Sequence, residues 1–442
     1  MRILVILLTL FFISPAGAAT YYVSENGSDS MDGRSERNAW KTLQRVNQFN
    51  FSPGDSLQLK AGNTFNGTIR FSLTNYPSLI SSYGKGKAVI NSGNEAGIYL
   101  VNTSGITITK LIVNGAGYMA TSRLTNGIDF RCLSPLNASL QNITVDSVEV
   151  YGYGGDGISF NVGDSIYGFN NVNITNCNLH DNGMSGLTIN GYYDSLKKLI
   201  RYSNSHVYVG YTVAFNNYGR SDFKQNWSGT GILVAGTENG LVEYCVAYEN
   251  GRENGSFEGG PIGIWTDDSK YVIIQYCVSH HNRSGPSKKD GGGFDIDGGC
   301  YGCVILYCES YENEGAGYGL FQWETGNQWS NDTIRYNNSF NDGRNEGYGA
   351  VTFWGVDSLH PVTNAQVYGN TIKLNKKGAA LFFIGKNFEN IQVHDNNFCI
   401  EHPAVYTLSI PVKVTITNSN FNCDATGFID GLPMNSIAGK QQ

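Results

Sequence analysis

Three aspartates, Asp267, Asp295 and Asp297, fall on two segments, Ile264-Trp265-Thr266-Asp267 and Phe294-Asp295-Ile296-Asp297, that read as short strands. In a strand, residues two apart share a face. If Ile264, Thr266, Phe294 and Ile296 point inward, the three carboxylates point outward together. Neighbouring strands lie about 4.8 Å apart and alternate residues about 6.7 Å apart, which sets Asp297 beside Asp267 and near Asp295. Crowded carboxyl groups do not all ionise, so one retains its proton near neutrality. A protonated and an ionised carboxyl about 5 to 9.5 Å apart form the pair that cleaves a glycosidic bond. Alternatively, three carboxylates at this spacing are a ligand set for Ca²⁺.

The surroundings suit a groove. Trp265, Phe321 and Trp323 are candidate stacking partners for sugar rings, which present flat apolar faces. Arg283, Lys288 and Lys289 are candidates for binding an acidic sugar, or for the base of a lyase. Long insertions precede the strand in three consecutive units, Gly219 to Gly229, Gly251 to Gly260 and Arg283 to Gly292. The next unit has almost none, and Gly319 leaves space beside Asp295. The plainer reading stays open: a solvated strand carries exposed aspartates for solubility alone, and loop lysines are usually just solvated.

Stacked coils are what would position these residues. Val242 to Asn250, Ile274 to Asn282, Ile305 to Asn313 and Ile334 to Asp342 are copies of one pattern, with weaker copies on either side. The chain holds about eleven units of roughly 23 to 37 residues, the range of solenoid repeats. Each unit carries period-2 runs broken by Gly, Asn and Asp, and none carries a helical stripe. Strands too short to close a sheet within one unit pair with the same strand of the next unit. The chirality of parallel crossovers makes the coil right-handed. The expected fold is all-β, a single-stranded right-handed parallel β-helix of ten to twelve coils. A short N-terminal helical cap carries Ala39, Leu43, Val46 and Phe49 on one face.

Stacking aligns residues into columns. Cys177, Cys245, Cys277 and Cys308 share one internal position, continued by Asn337, Asn370 and Asn396. Asn182, Asn217, Asn250, Asn282 and Asn313 form a second column at a turn, where amides bond along the stack. Tyr151, His180, Phe215, Tyr248, His280, Tyr311 and Phe340 form a third, which makes His180 and His280 members of an aromatic ladder rather than bases or ligands. The outward positions form two more columns. One runs Asp129, Ser159, Thr188, Leu233, Trp265, Asp295, Gly319 and Val351. The other runs Arg131, Asn161, Asn190, Ala235, Asp267, Asp297, Phe321 and Phe353. Cys300 and Cys303 form a Cys-x-x-Cys pair on a turn, read as a local disulfide or as free thiols before a redox site.

Arg2, the apolar run Ile3 to Ile13 and Ala16-Gly17-Ala18-Ala19 have the order of a secretory signal peptide. The expected division is a signal peptide over 1–19, the cap over 20–54, the β-helix over 55–423 and a tail over 424–442. The mature protein is expected to be secreted, extracellular or periplasmic, monomeric and without a membrane span. A net charge of −7 and a pI near 5.5 argue against nucleic acid as a partner.

Tyr21-Tyr22-Val23-Ser24, Asn26-Gly27-Ser28-Asp29, Trp40-Lys41-Thr42-Leu43, Pro53-Gly54-Asp55 and the repeats together carry a resemblance. From Thr20 to Cys423 the chain resembles the right-handed parallel β-helix superfamily of secreted carbohydrate-active proteins, the pectate lyase and polygalacturonase-like group. The resemblance implies a glycan partner. The polygalacturonase pattern itself is not reproduced: Asp267-Asp268 resembles its Asp-Asp, but there is no Gly-His-Gly and no Arg-x-Lys. Three functions are compatible with the residues. The first is a glycoside hydrolase using Asp267, Asp295 and Asp297, with no cofactor. The second is a Ca²⁺-dependent polysaccharide lyase, in which those carboxylates hold the metal and Lys288, Lys289 or Arg283 is the base. The third is a non-catalytic glycan-binding or adhesion module.

Overall fold

The computed structural model describes residues 17–120, 124–164, 166–193, 199–323, 327–357, 359–375, 378–400, 405–407 and 413–420. Most of the expected signal peptide and all of the expected tail lie outside these residues. Among the described residues, no helix is long and apolar enough to cross a membrane.

Three long sheets run the length of the molecule, with fourteen, twelve and twelve strands. The first begins at Thr20–Val23 and ends at Val414–Thr417, the second runs from Ile69–Ser72 to Val405–Thr407, and the third from Thr64–Asn66 to Asn397–Ile400. Successive strands in each are parallel and in register: Val246, Ala247 and Tyr248 pair with Val278, Ser279 and His280, which pair with Glu309, Ser310 and Tyr311. The chain is therefore a right-handed parallel β-helix, and each full coil gives one strand to each sheet. Alternation fills its interior. Val172 and Ile174 in the first sheet, Phe160 in the second and Leu179 in the third all point into one continuous core.

The columns are present. Cys177, Cys245, Cys277 and Cys308 are buried in the interior, and Asn337, Asn370 and Asn396 continue the column through amide bonds of 3.1 and 2.9 Å. The second column is an unbroken chain of amides. Each Nδ2 donates to the next Oδ1, at 3.1, 3.0, 3.0 and 2.9 Å from Asn182 to Asn313. Asn313 then donates to Asp342 at 2.8 Å. In the third column the rings of Tyr151, His180, Phe215, Tyr248, His280 and Tyr311 stack with centroids 4.5 to 5.0 Å apart. Burial and the neighbouring His281 push His280 down to about 4, so it stacks as a neutral ring.

A further stack was not read from the sequence. Tyr211, Tyr244, Tyr276, Tyr307 and Tyr336 each precede the thiol and amide column and adopt left-handed backbone, φ 52° to 56°. That conformation costs a non-glycine residue about 1–2 kcal/mol. Their rings stack at 5.1 to 5.6 Å along the outside, an interaction of similar size and opposite sign.

At the N-terminal end the helix is one short turn, Leu43–Asn47, capped by Thr42, whose side chain accepts from the Arg45 N–H. Ala39 and Phe49 lie outside it, although Ala39 is buried and Phe49 packs on Tyr21, Trp40 and Phe51. Asn47 accepts from the Arg70 N–H and donates to the Thr68 carbonyl, at the first edge of the second sheet. The Cys300 and Cys303 thiols are both free and buried.

One register differs from expectation. Gly319 pairs with Thr352 and Phe321 with Trp354, so Thr352 and Trp354 point outward. Val351 and Phe353, expected outside, are fully buried, and Phe353 stacks on Phe383 at 4.5 Å. In Val351-Thr352-Phe353-Trp354 both phases carry an apolar residue, so alternation alone does not choose between them.

Candidate active site

The second sheet presents the carboxylates. Ile262–Asp267 and Gly292–Ile296 are adjacent strands, and Trp265 is the register partner of Asp295. The Asp297 N–H donates to the Thr266 carbonyl at 2.9 Å, which seats Asp297 beside Asp267. The three aspartates thus come together on the outer face.

Their environments differ. Asp295 is only 1% exposed, and its Oδ1 is buried without a hydrogen-bond partner. Burial, and then the charges of Asp297, Asp290 and Asp267, hold its carboxyl well above the usual range. Asp297 is partly exposed and accepts the Gly298 N–H at 2.8 Å; burial pushes it up to about 8. Asp267 is partly exposed and accepts from the Tyr193 hydroxyl and the Trp323 indole N–H, each at 3.4 Å. Burial and the adjacent Asp268 and Asp297 raise it well above the usual range.

Two further carboxyls belong to the same cluster: Asp268, named above only for its resemblance to an Asp-Asp pair, and Asp290, which the sequence did not single out. Asp268 accepts from the Asn327 amide at 2.9 Å and is pushed up to about 6 by burial. Asp290 and Tyr348 are bonded twice: the hydroxyl donates to Asp290 Oδ1 at 2.9 Å and accepts the Asp290 N–H at 2.8 Å. Burial raises Asp290, while Tyr348, a backbone N–H and nearby Lys289 act against the rise. Asp290 stands before three consecutive glycines at the end of an insertion, where the sequence reads as a turn. Only the fold brings it to Asp295 and Asp297.

The expected sugar platforms separate into two kinds. Trp265 is 4% exposed, because Trp227 from the first insertion packs edge-on against it at 5.4 Å. Phe321 is 6% exposed, packed with Ala316, Tyr348 and Trp354. Neither offers an open face. Trp323 and Trp354 are partly exposed; Trp323 reaches Asp267, and Trp354 packs edge-on against Phe321 at 5.8 Å. The indole N–H groups of Trp265 and Trp354 are buried without partners, as is Asp295 Oδ1. Such groups are rare in folded proteins.

The cations also differ from expectation. Arg283 is held between Glu249 and Glu314, at 3.5 Å from each. Lys289 lies 5.5 Å from the centre of the Trp354 ring, and Lys288 is exposed with left-handed backbone. The three insertions form a bonded wall, Ser228 to Asn254 at 3.0 Å and Asn254 to Ser287 at 2.9 Å. Among the described residues no three His, Cys, Asp or Glu side chains are arranged to hold a metal ion.

A family model described as the right handed beta helix region matches residues 136–334. Among solved structures, the GH136 lacto-N-biosidase from Eubacterium ramulus is 18% identical, with a TM-score of 0.62 over 84% of this chain and 68% of that one. The A-module of the mannuronan C-5 epimerase AlgE4 from Azotobacter vinelandii is 14% identical, with a TM-score of 0.57 over 82% and 91%. The Dettilon tailspike protein is 13% identical, with a TM-score of 0.53 over 80% and 62%. No curated protein sequence matches the chain. At these identities the likeness is one of fold, and it places the chain among the right-handed parallel β-helix proteins.

Proposed function

We propose that this chain is a carbohydrate-active enzyme, a glycoside hydrolase working from the outer face of the second sheet. The observation that carries the reading is the contrast between two carboxyls of one cluster. Asp297 is pushed up to about 8 and so carries a proton at neutral pH, while Asp290, also raised by burial, has Tyr348, a backbone N–H and Lys289 acting against the rise. Pairs of titratable groups whose surroundings drive them apart mark acid and base roles. Asp297, partly exposed, protonates the leaving oxygen. Asp290, oriented by Tyr348, is assigned as the second carboxyl of the pair, attacking the sugar or activating water. Asp295 is closed off from solvent and acts on its neighbours by crowding them. Two neighbours in fold, a lacto-N-biosidase and a mannuronan epimerase, act on glycans by name, which supports the substrate class.

The test is a panel of polysaccharides, oligosaccharides and p-nitrophenyl glycosides, assayed for new reducing ends and for absorbance near 235 nm. Reducing ends without ultraviolet-absorbing product, unaffected by a chelator, are expected. An unsaturated product lost with the chelator and restored by Ca²⁺ would replace hydrolysis with elimination. Binding without turnover, unchanged when Asp290, Asp295 and Asp297 are all replaced by Asn, would leave a glycan-binding module.

A further inference from the structure

Asp267 sits where two distant segments meet. Tyr193 belongs to a small antiparallel hairpin, Tyr192–Tyr193 with Leu199–Arg201, that interrupts the coils ahead of the site. Trp323 follows the strand Tyr318–Gln322, two coils beyond Asp267. The hydroxyl of one donates to Asp267 Oδ2 and the indole N–H of the other to Oδ1, each at 3.4 Å. With an oxygen committed to each, Asp267 has the contacts of an anchor.

The indole is fixed from below as well. A Cβ on Gly298 would lie 2.0 Å from Trp323 Nε1 and 2.5 Å from its Cδ1, so the ring occupies the space this glycine leaves. Gly298 directly follows Asp297 and donates to its carboxylate. The ring is thereby set against the residue next to the proposed acid. Tyr193 and Trp323 are both partly exposed, unlike Trp265 and Phe321. A partly exposed indole and phenol held on the two oxygens of one carboxyl, within the carboxyl cluster, form a surface for the apolar face of a pyranose.

We propose that Asp267 is a positioning residue, holding Tyr193 and Trp323 as a sugar-ring subsite beside Asp297. This assignment rests on the hydrolase reading for its catalytic consequence, but the subsite itself does not need turnover.

The full chain is compared with Asp267→Asn, Trp323→Phe and Trp323→Ala on p-nitrophenyl β-galactoside, β-glucoside, β-N-acetylglucosaminide and β-lacto-N-bioside. On whichever of these the parent cleaves, Trp323→Ala and Asp267→Asn are expected to raise KM about tenfold with kcat within about threefold. Trp323→Phe keeps a ring and recovers part of the loss. A kcat reduced a thousandfold in Asp267→Asn at unchanged KM would make Asp267 a reacting group and overturn the proposal. If the parent cleaves none of the four, the hydrolase reading fails on this set, and tryptophan fluorescence titrated with lacto-N-biose decides the subsite. A spectral change in the parent that is absent from Trp323→Phe and weakened in Asp267→Asn supports it. No change in the parent, or equal changes in all, overturns it.

Discussion

The Oδ1 atom of Asp295 fills the space in front of Gly319, its register partner one coil on; a Cβ on that glycine would lie 2.5 Å from it. The same methyl would meet the Phe321 ring at 2.9 Å. Gly319→Ala therefore has to move either a carboxyl or an aromatic ring, and both are packed. Turnover is expected to fall at least tenfold and thermal stability to drop, by about 1–3 kcal/mol for such overpacking. A variant with parental rate and melting temperature would show that the carboxyl has room to retreat.

Asp297→Asn removes the proton donor and keeps the shape. The rate should fall by about 10²–10⁴, the range for loss of a general acid. Stability should hold or rise, because a crowded carboxyl is replaced by a neutral amide. Steady-state kinetics and a melting curve on the same sample test both halves, and unimpaired turnover would move the acid elsewhere.

Asp268 lies next to the reacting pair without belonging to it, and its charge contributes to the raised position of Asp297. Removing a nearby negative charge makes ionisation of Asp297 easier. In Asp268→Asn the alkaline limb of the rate profile, expected near pH 8 in the parent, should therefore move to lower pH. A limb that stays in place, or moves upward, would contradict the coupling.

Stability should depend on pH with an unusual sign. Asp297 holds its proton up to about 8 in the fold but only to about 3.9 when unfolded. The folded chain thus binds the extra proton between those values, and stability rises as pH falls through them. Asp267 and Asp295 are pushed in the same direction, and Asp156 and Asp342, both raised to about 6, add to the trend. Melting temperatures should climb from pH 8 to pH 5, less steeply in Asp295→Asn. A steady decline over that interval would mean that the cluster is ionised in the folded state.

Cys277 is sealed in the interior between Cys245 and Cys308. Cys277→Asp places a carboxylate where only backbone carbonyls and thiols surround it, and should cost about 3 kcal/mol or more. Urea unfolding would register this as an early midpoint; a midpoint equal to the parent's would show that the column admits water.

Much of the architecture is written in the repeats. A coil cannot close its own sheet, so recurrence of Tyr-Cys two residues after a Val or Ile, and of Asn at fixed offsets, already implies stacking, and the amide and aromatic columns appear where spacing puts them. The site was legible in part. Asp267, Asp295 and Asp297 follow from alternation, but Asp290, Tyr193 and Tyr348 arrive on insertions and a hairpin whose paths no periodicity constrains. Trp265 and Phe321 show the complementary limit. Alternation correctly points them outward, yet whether an outward residue is open depends on what folds over it, here Trp227 and Tyr348.

The amide chain from Asn182 to Asp342 has a direction. Each amide donates through Nδ2 to the Oδ1 of the later coil, and the run stops at a carboxylate, which also takes the Ser339 hydroxyl at 2.7 Å. An ionised carboxylate has no hydrogen to pass on. Up to Asn313 a duplicated coil would find a donor behind it and an acceptor ahead, so gene duplication could lengthen the molecule there without a mismatch. Beyond Asp342 a copied coil would meet an acceptor where it needs a donor. The direction of the ladder is therefore closed at one residue, and Asp267, Asp290, Asp295 and Asp297 all lie on its N-terminal side.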